Sequence, residues 1–303
     1  MTPPTSRQQR IFALGSTVLL FVVCIAGLLM ALGKGSDSKV VPAAPTESQE
    51  APRKLLRFGK IPNVSPREAF RIYSVFLDLV EEHLDCCQLE LVLARDYSSC
   101  VSMLDNGEID LAWLGTASYV ENRKDVDMRP LVRPIWAGRP TYRGVLFTVH
   151  ATEITSLQQL KGKKVAFVDK ESASGYVYPA ALLAEAGIDI DKDLAQVAFL
   201  GSHDAVMLAV LLGEYDAGAV FERAYATVAD HATRVRLRIL AQTEPIPGEP
   251  IVAGPSLDPE IADAVQKAFL AIPAEKFAQT ELSDFFAFEA ASDKDYDNVR
   301  TRR

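Results

Sequence analysis

The hydrophobic and polar positions divide the chain into three stretches. Residues 11–33, "IFALGSTVLLFVVCIAGLLMALG", form an uncharged run of about the length that crosses a bilayer as a helix, preceded by Arg7 and Arg10. The pattern predicts a transmembrane anchor with residues 1–10 on the cytoplasmic side. The run is long for a signal-peptide core and has no A-x-A-like exit, which favours an uncleaved anchor over a removed leader. Residues 34–54 are rich in Pro, Ala, Ser and charge, with few large apolar side chains to bury, and predict a flexible tether.

From residue 55 onward, short apolar runs alternate with amphipathic ones. "KLLRFGKI", "LELVLA" and "DLAWLG" read as strands, separated by helices in "PREAFRIYSVFLDLVEEHL" and "SSCVSMLDNGEI". A second set follows, with strands in "RGVLFTVH", "KKVAFVD", "QVAFLGS", "YDAGAVFE" and "VRLRILA" and helices after Ser174 and in "HDAVMLAVLLGE". Strands alternating with helices predict α/β layers on mostly parallel sheet. Two such sets predict two lobes with a cleft between them.

Composition narrows the function. The chain has 303 residues, 49% hydrophobic and 24% charged, enough for about two compact units. A net charge of −8 and the absence of a long basic block argue against a nucleic-acid partner. His83, His150, His203 and His231 show no metal-ligand spacing, so no cofactor or metal is expected. Ser172 and His203 could be imagined as nucleophile and base, but no G-x-S-x-G elbow surrounds the serine, and catalysis is not expected.

Candidate chemistry centres on "ESASG". Two serines and a glycine stand ahead of an alanine-rich run, where they could simply cap a helix. Alternatively, backbone N–H groups at a helix start, joined by hydroxyls, make a site for an anion.

Five stretches carry a resemblance. "KIPNVSPREAF", "ARDYSSCVSMLDNGEIDLAWLG", "SLQQLKGKKVAFVDKESASGYVYP", "GSHDAVMLAVLLGEYDAGAVFE" and "AASDKDYDNVR" together resemble the phosphate/phosphite/phosphonate substrate-binding proteins of ABC transporters. The resemblance implies a two-lobed periplasmic-binding fold, type II-like, with two hinge crossovers near "FTVH" and "ILAQTEPIP". One lobe would comprise 55–147 plus 241–303, the other 148–240. It implies capture of a small phosphorus oxyanion for ABC permease subunits, with the soluble domain outside the inner membrane. A ligand-sensing input domain serving a separate signalling partner stays open as an alternative.

The resemblance also implies site residues. The family's Ser-Thr-Ser-Gly turn here reads Ser172, Ala173, Ser174 and Gly175, one hydroxyl short. Its "GSH" is present at Gly201, Ser202 and His203, and Tyr97 and Tyr142 match positions that face the cleft. Where aminoalkylphosphonate binders have a Tyr after the strand-end Trp, this chain has Leu114 after Trp113. Glu222 lies within one position of an acid that could hold a ligand amine. Which phosphorus oxyanion binds is left open.

Overall fold

The computed structural model describes residues 53–61, 65–226, 236–277 and 285–301. The apolar run 11–33 and residues 34–52 of the tether expected over 34–54 lie outside the described residues; at its end Arg53 bonds to Cys87 O and Lys54 already begins a strand, and among the described residues no helix is long and apolar enough to cross a membrane.

The first lobe is built on a six-stranded sheet. Its parallel core is β1 (Lys54–Lys60) between β2 (Cys87–Leu93) and β3 (Leu111–Trp113). Beyond β3 the sheet continues antiparallel through the strand Ile251–Ala253, then β4 (Arg129–Trp136), then the strand Phe285–Ala290. Two helices cover one face. Helix α1 (Pro66–Glu81) begins at Ser65, whose hydroxyl accepts from the Glu68 N–H, with Pro66 at its first position. It buries Ala69, Tyr73, Phe76, Leu77 and Val80, an i, i+4, i+7 stripe, together with Val265, Ala268 and Phe269 of the helix Pro259–Ala271. The opposite face carries α2 (Tyr97–Asp105), after which α3 (Thr116–Asn122) follows β3.

After the short strand β5 (Thr141–Tyr142) the chain passes to a five-stranded sheet, ordered Leu237–Gln242, β6 (Gly144–Val149), β9 (Ala217–Phe221), β7 (Lys164–Phe167), β8 (Gln196–Phe199). Alternation along β7 shows why both faces are covered: Val165 and Phe167 join one apolar cluster, Ala166 and Val168 the other. Strand β6 runs in this second sheet from Gly144 on. The two crossovers meet at their start, where Gly144 N–H donates to Thr243 Oγ1 and Thr243 N–H to Gly144 O, both at 2.9 Å.

The expectation of mostly parallel sheet is corrected. The larger sheet has two parallel and three antiparallel pairings, and the smaller has two of each. Strands that carry the chain between lobes and back enter each sheet from the far side, so they run against the βαβ strands they join.

Candidate functional site

The "ESASG" segment folds as neither a plain cap nor a plain α-helix. Ala173–Val177 form a π-helical turn that runs into α4 (Tyr178–Glu185). Such wide turns recur at functional sites because they displace backbone groups from the regular ladder. Ser172 caps the turn, its Oγ accepting from the Gly175 N–H at 3.1 Å, while Tyr176 and Val177 both donate to Ser172 O. Gly175 is required here by packing. A Cβ would lie 2.4 Å from Val168 Cγ2 and 2.8 Å from Ser172 Oγ.

Tyrosines of the other lobe reach this turn. Tyr97, at the start of α2, has its phenol beside the Ser172 hydroxyl, which favours the charged form of the phenol against its burial. The Tyr142 phenol likewise feels the hydroxyls of Thr116 and Ser174. Burial first, and the nearby Glu249 carboxylate second, push both phenols above their ordinary range, so they remain neutral hydrogen-bonding groups. Thr116 is in turn fixed by donating to Pro247 O at 2.9 Å. Ser172, Ser174 and Thr116 are all buried. Both serines thus have a tyrosine of the other lobe beside them, and Ser172 in addition caps its own turn.

His203 opens α5 (His203–Leu211), which Ser202 caps by accepting from the Ala205 N–H at 3.2 Å. Gly201 before it has φ +83°, a conformation that favours glycine. The imidazole stacks edge-on against Phe221 with ring centroids 4.5 Å apart, and its Nδ1 accepts from the Phe221 N–H at 3.3 Å. Burial, with a smaller contribution from the Lys60 ammonium, lowers its pKa to about 3. The ring is thus neutral, with its proton on Nε2 as a donor.

Trp113 and Leu114 are both buried, and alternation sends them to opposite faces. Trp113 packs edge-on against Tyr73, with ring centroids 5.8 Å apart. Leu114 N–H donates to Pro250 O at 3.0 Å. Glu222 starts the helix Glu222–Ala226 with its carboxylate 3.6 Å from Arg139 Nη2, an ion pair between the lobes. A second interlobe link joins the site's own loop to α3, where Ser118 Oγ donates to Glu171 at 2.6 Å.

Three groups in this region escape sequence reasoning. Lys60 ends β1 with its side chain buried between Tyr73 and Trp113, Glu249 precedes the strand Ile251–Ala253, and Thr116 starts α3. The available signal for Lys60 was its place at the C-terminal end of a parallel strand, where open α/β sheets hold ligands. Neutral hydroxyls, backbone donors at helix starts, a neutral imidazole N–H and one buried ammonium are the groups that bind a small oxyanion.

The family model for "ABC transporter, phosphonate, periplasmic substrate-binding protein" matches residues 58–296. The phosphate-import protein PhnD of Mycolicibacterium smegmatis is 30% identical over 260 residues, covering 81% of this chain and 78% of that protein. A binding-protein component of an ABC phosphonate transporter from Pseudomonas aeruginosa shares the fold with a TM-score of 0.76 at 21% identity, covering 83% of this chain and 86% of its own. PhnD1 from Prochlorococcus marinus, solved in complex with methylphosphonate, gives 0.74 at 21% identity, covering 82% and 97%. The shared fold is the two-lobed periplasmic-binding architecture.

Proposed function

We propose that this chain, which belongs to the family of periplasmic substrate-binding proteins of phosphonate ABC transporters, closes its lobes around a small phosphorus oxyanion and presents it unaltered to permease subunits. The observation that carries this reading is the buried hydroxyl set Ser172, Ser174, Tyr97 and Tyr142, drawn from both lobes onto one π-helical turn. An oxyanion between those groups gains donors from both sides only when the lobes are together, so binding favours closure. The relatives' ligands, phosphate import in one and methylphosphonate in the other, mark the range to be tested.

The state of His203 supports binding without turnover. A general base needs a free lone pair, and the Nδ1 lone pair already accepts from Phe221. What remains is Nε2–H, which can donate to an anion but cannot take a proton from Ser172.

Residues 11–33 are assigned as an uncleaved anchor and 34–52 as the tether that lets the binding lobes reach the permease. Full-length protein should stay with membranes through alkaline carbonate washing. A mature chain starting just after the apolar run would refute this assignment.

The binding reading is tested by calorimetric titration of the full chain, in detergent, with phosphate, phosphite, methylphosphonate and sulfate. Replacing Ser174 with Ala removes a hydrogen bond to a charged group, worth about 1.5–3 kcal/mol, or roughly tenfold to a hundredfold in Kd. Parent-like affinity in Ser174→Ala, with folding confirmed by melting, would return this turn to a purely structural role.

A further inference from the structure

The cleft contains a buried cation that the site described above does not need for its architecture. Lys60 is 1% exposed. Its ammonium lies 5.3 Å from the Tyr73 ring centroid and 5.2 Å from that of Trp113, with one long hydrogen bond to Ile61 O at 3.4 Å. Among the described residues no carboxylate comes within 4.0 Å of it. Burying an ammonium without an ion-pair partner is costly, and aromatic faces offset only part of that cost. A protein retains such a group where an anion arrives to complete it.

Its position agrees. Lys60 stands at the C-terminal end of β1, level in register with Leu93 and Trp113, where the crevice of an open α/β sheet lies. Three titratable groups feel its charge: Glu249, His203 and the Cys100 thiol. Of these, His203 belongs to the opposite lobe, and burial keeps it neutral at physiological pH. Glu249 is held above the usual carboxylate range by burial, against the pull of Lys60.

We infer that Lys60 is a resident ammonium that selects the ligand class: it stands where a zwitterionic ligand would otherwise bring its own cation, and so favours phosphorus oxyanions without an amine over aminoalkylphosphonates. This inference rests on the binding reading above and sharpens it. A ligand ammonium entering the cleft meets a fixed like charge, whereas phosphate, phosphite or methylphosphonate meets an opposite one. Of the carboxylates that could hold a ligand amine, Glu249 is held above the usual carboxylate range by burial, and Glu222 is engaged by Arg139.

The test titrates the full-length parent, Lys60→Met and Lys60→Arg with methylphosphonate and 2-aminoethylphosphonate at pH 7.5, with melting curves for each. The parent should prefer methylphosphonate by tenfold or more. Lys60→Met should lose on the order of tenfold to a hundredfold in methylphosphonate affinity and most of that preference, while Lys60→Arg keeps the preference. Equal binding of the two ligands by the parent, or a preference for the amine, overturns the role of Lys60 whether or not the variants fold. Unchanged affinity and ratio in a folded Lys60→Met protein also overturns it. A parent that binds neither ligand nor phosphate fails the binding reading itself, an outcome separate from the others.

Discussion

The neutral imidazole of His203 makes stability fall with acid in a way that one substitution should remove. Its pKa is lowered from the ordinary 6.5 to about 3 by burial, so the folded protein refuses a proton that the unfolded chain accepts. Above pH 6.5 neither state carries the proton, and the full stability is present. Between pH 6.5 and 3 the unfolded chain gains it alone, and stability falls by about 1.4 kcal/mol per pH unit. Moving from pH 7.5 to pH 5 therefore costs about 2 kcal/mol through this group, or about 4–8 °C in Tm for a folded portion of this size. The assay is thermal unfolding of the full chain by circular dichroism at half-unit intervals from pH 7.5 to 5, comparing the parent with His203→Gln. Glutamine is neutral throughout and keeps an N–H donor, so it should abolish the extra slope even if it lowers stability at every pH. The exposed His83 and His150 contribute equally to both proteins and drop out of the difference. Parallel curves for the two proteins would show that His203 titrates normally, and the tautomer assigned to it would fall as well.

Further consequences follow from the packing around the site. In Gly175→Ala the new methyl would meet Val168 at 2.4 Å, so stability should drop by about 1–3 kcal/mol in chemical denaturation, with a loss of phosphorus-anion affinity as Ser172 is displaced. Thr243→Val leaves the buried Gly144 N–H without its acceptor at the paired crossovers and should cost about 1–3 kcal/mol by the same measurement. Ser118→Ala removes the 2.6 Å bond to Glu171 that ties the lobes together, and small-angle scattering without ligand should show a more open average. Glu222→Gln breaks the interlobe pair with Arg139, which is partly exposed and worth about 0.2–1 kcal/mol, so anion affinity should change by less than about tenfold.

Much of the fold was readable locally. The Ser65 cap and Pro66 ahead of a 3.6-residue apolar stripe mark α1, and the β7 run "KKVAFVD" is continuously apolar from Val165 to Val168 because both its faces are buried. Ser172, Gly175 and His203 were legible because a cap, a close approach and a helix start are properties of a few consecutive residues. The antiparallel strands were not. Arg129–Trp136 carries two prolines, and Ile251–Ala253 is too short for a periodic signal, so their place in the sheet depends on partners distant in the chain.

The sequence by itself determined the α/β lobes, the serine-rich turn at a helix start and the family, since each is written in local pattern or in motifs kept in order. Only the tertiary structure decided which tyrosines stand beside the serine turn, the pairing of Glu222 with Arg139, and the burial of Lys60. In sequence Lys60 is an ordinary polar residue closing a strand. It becomes a buried charge because Tyr73 of α1 and Trp113 of β3 close over it, and the electrostatic cost of that burial depends on which groups the fold brings near, which no stretch of neighbouring residues encodes.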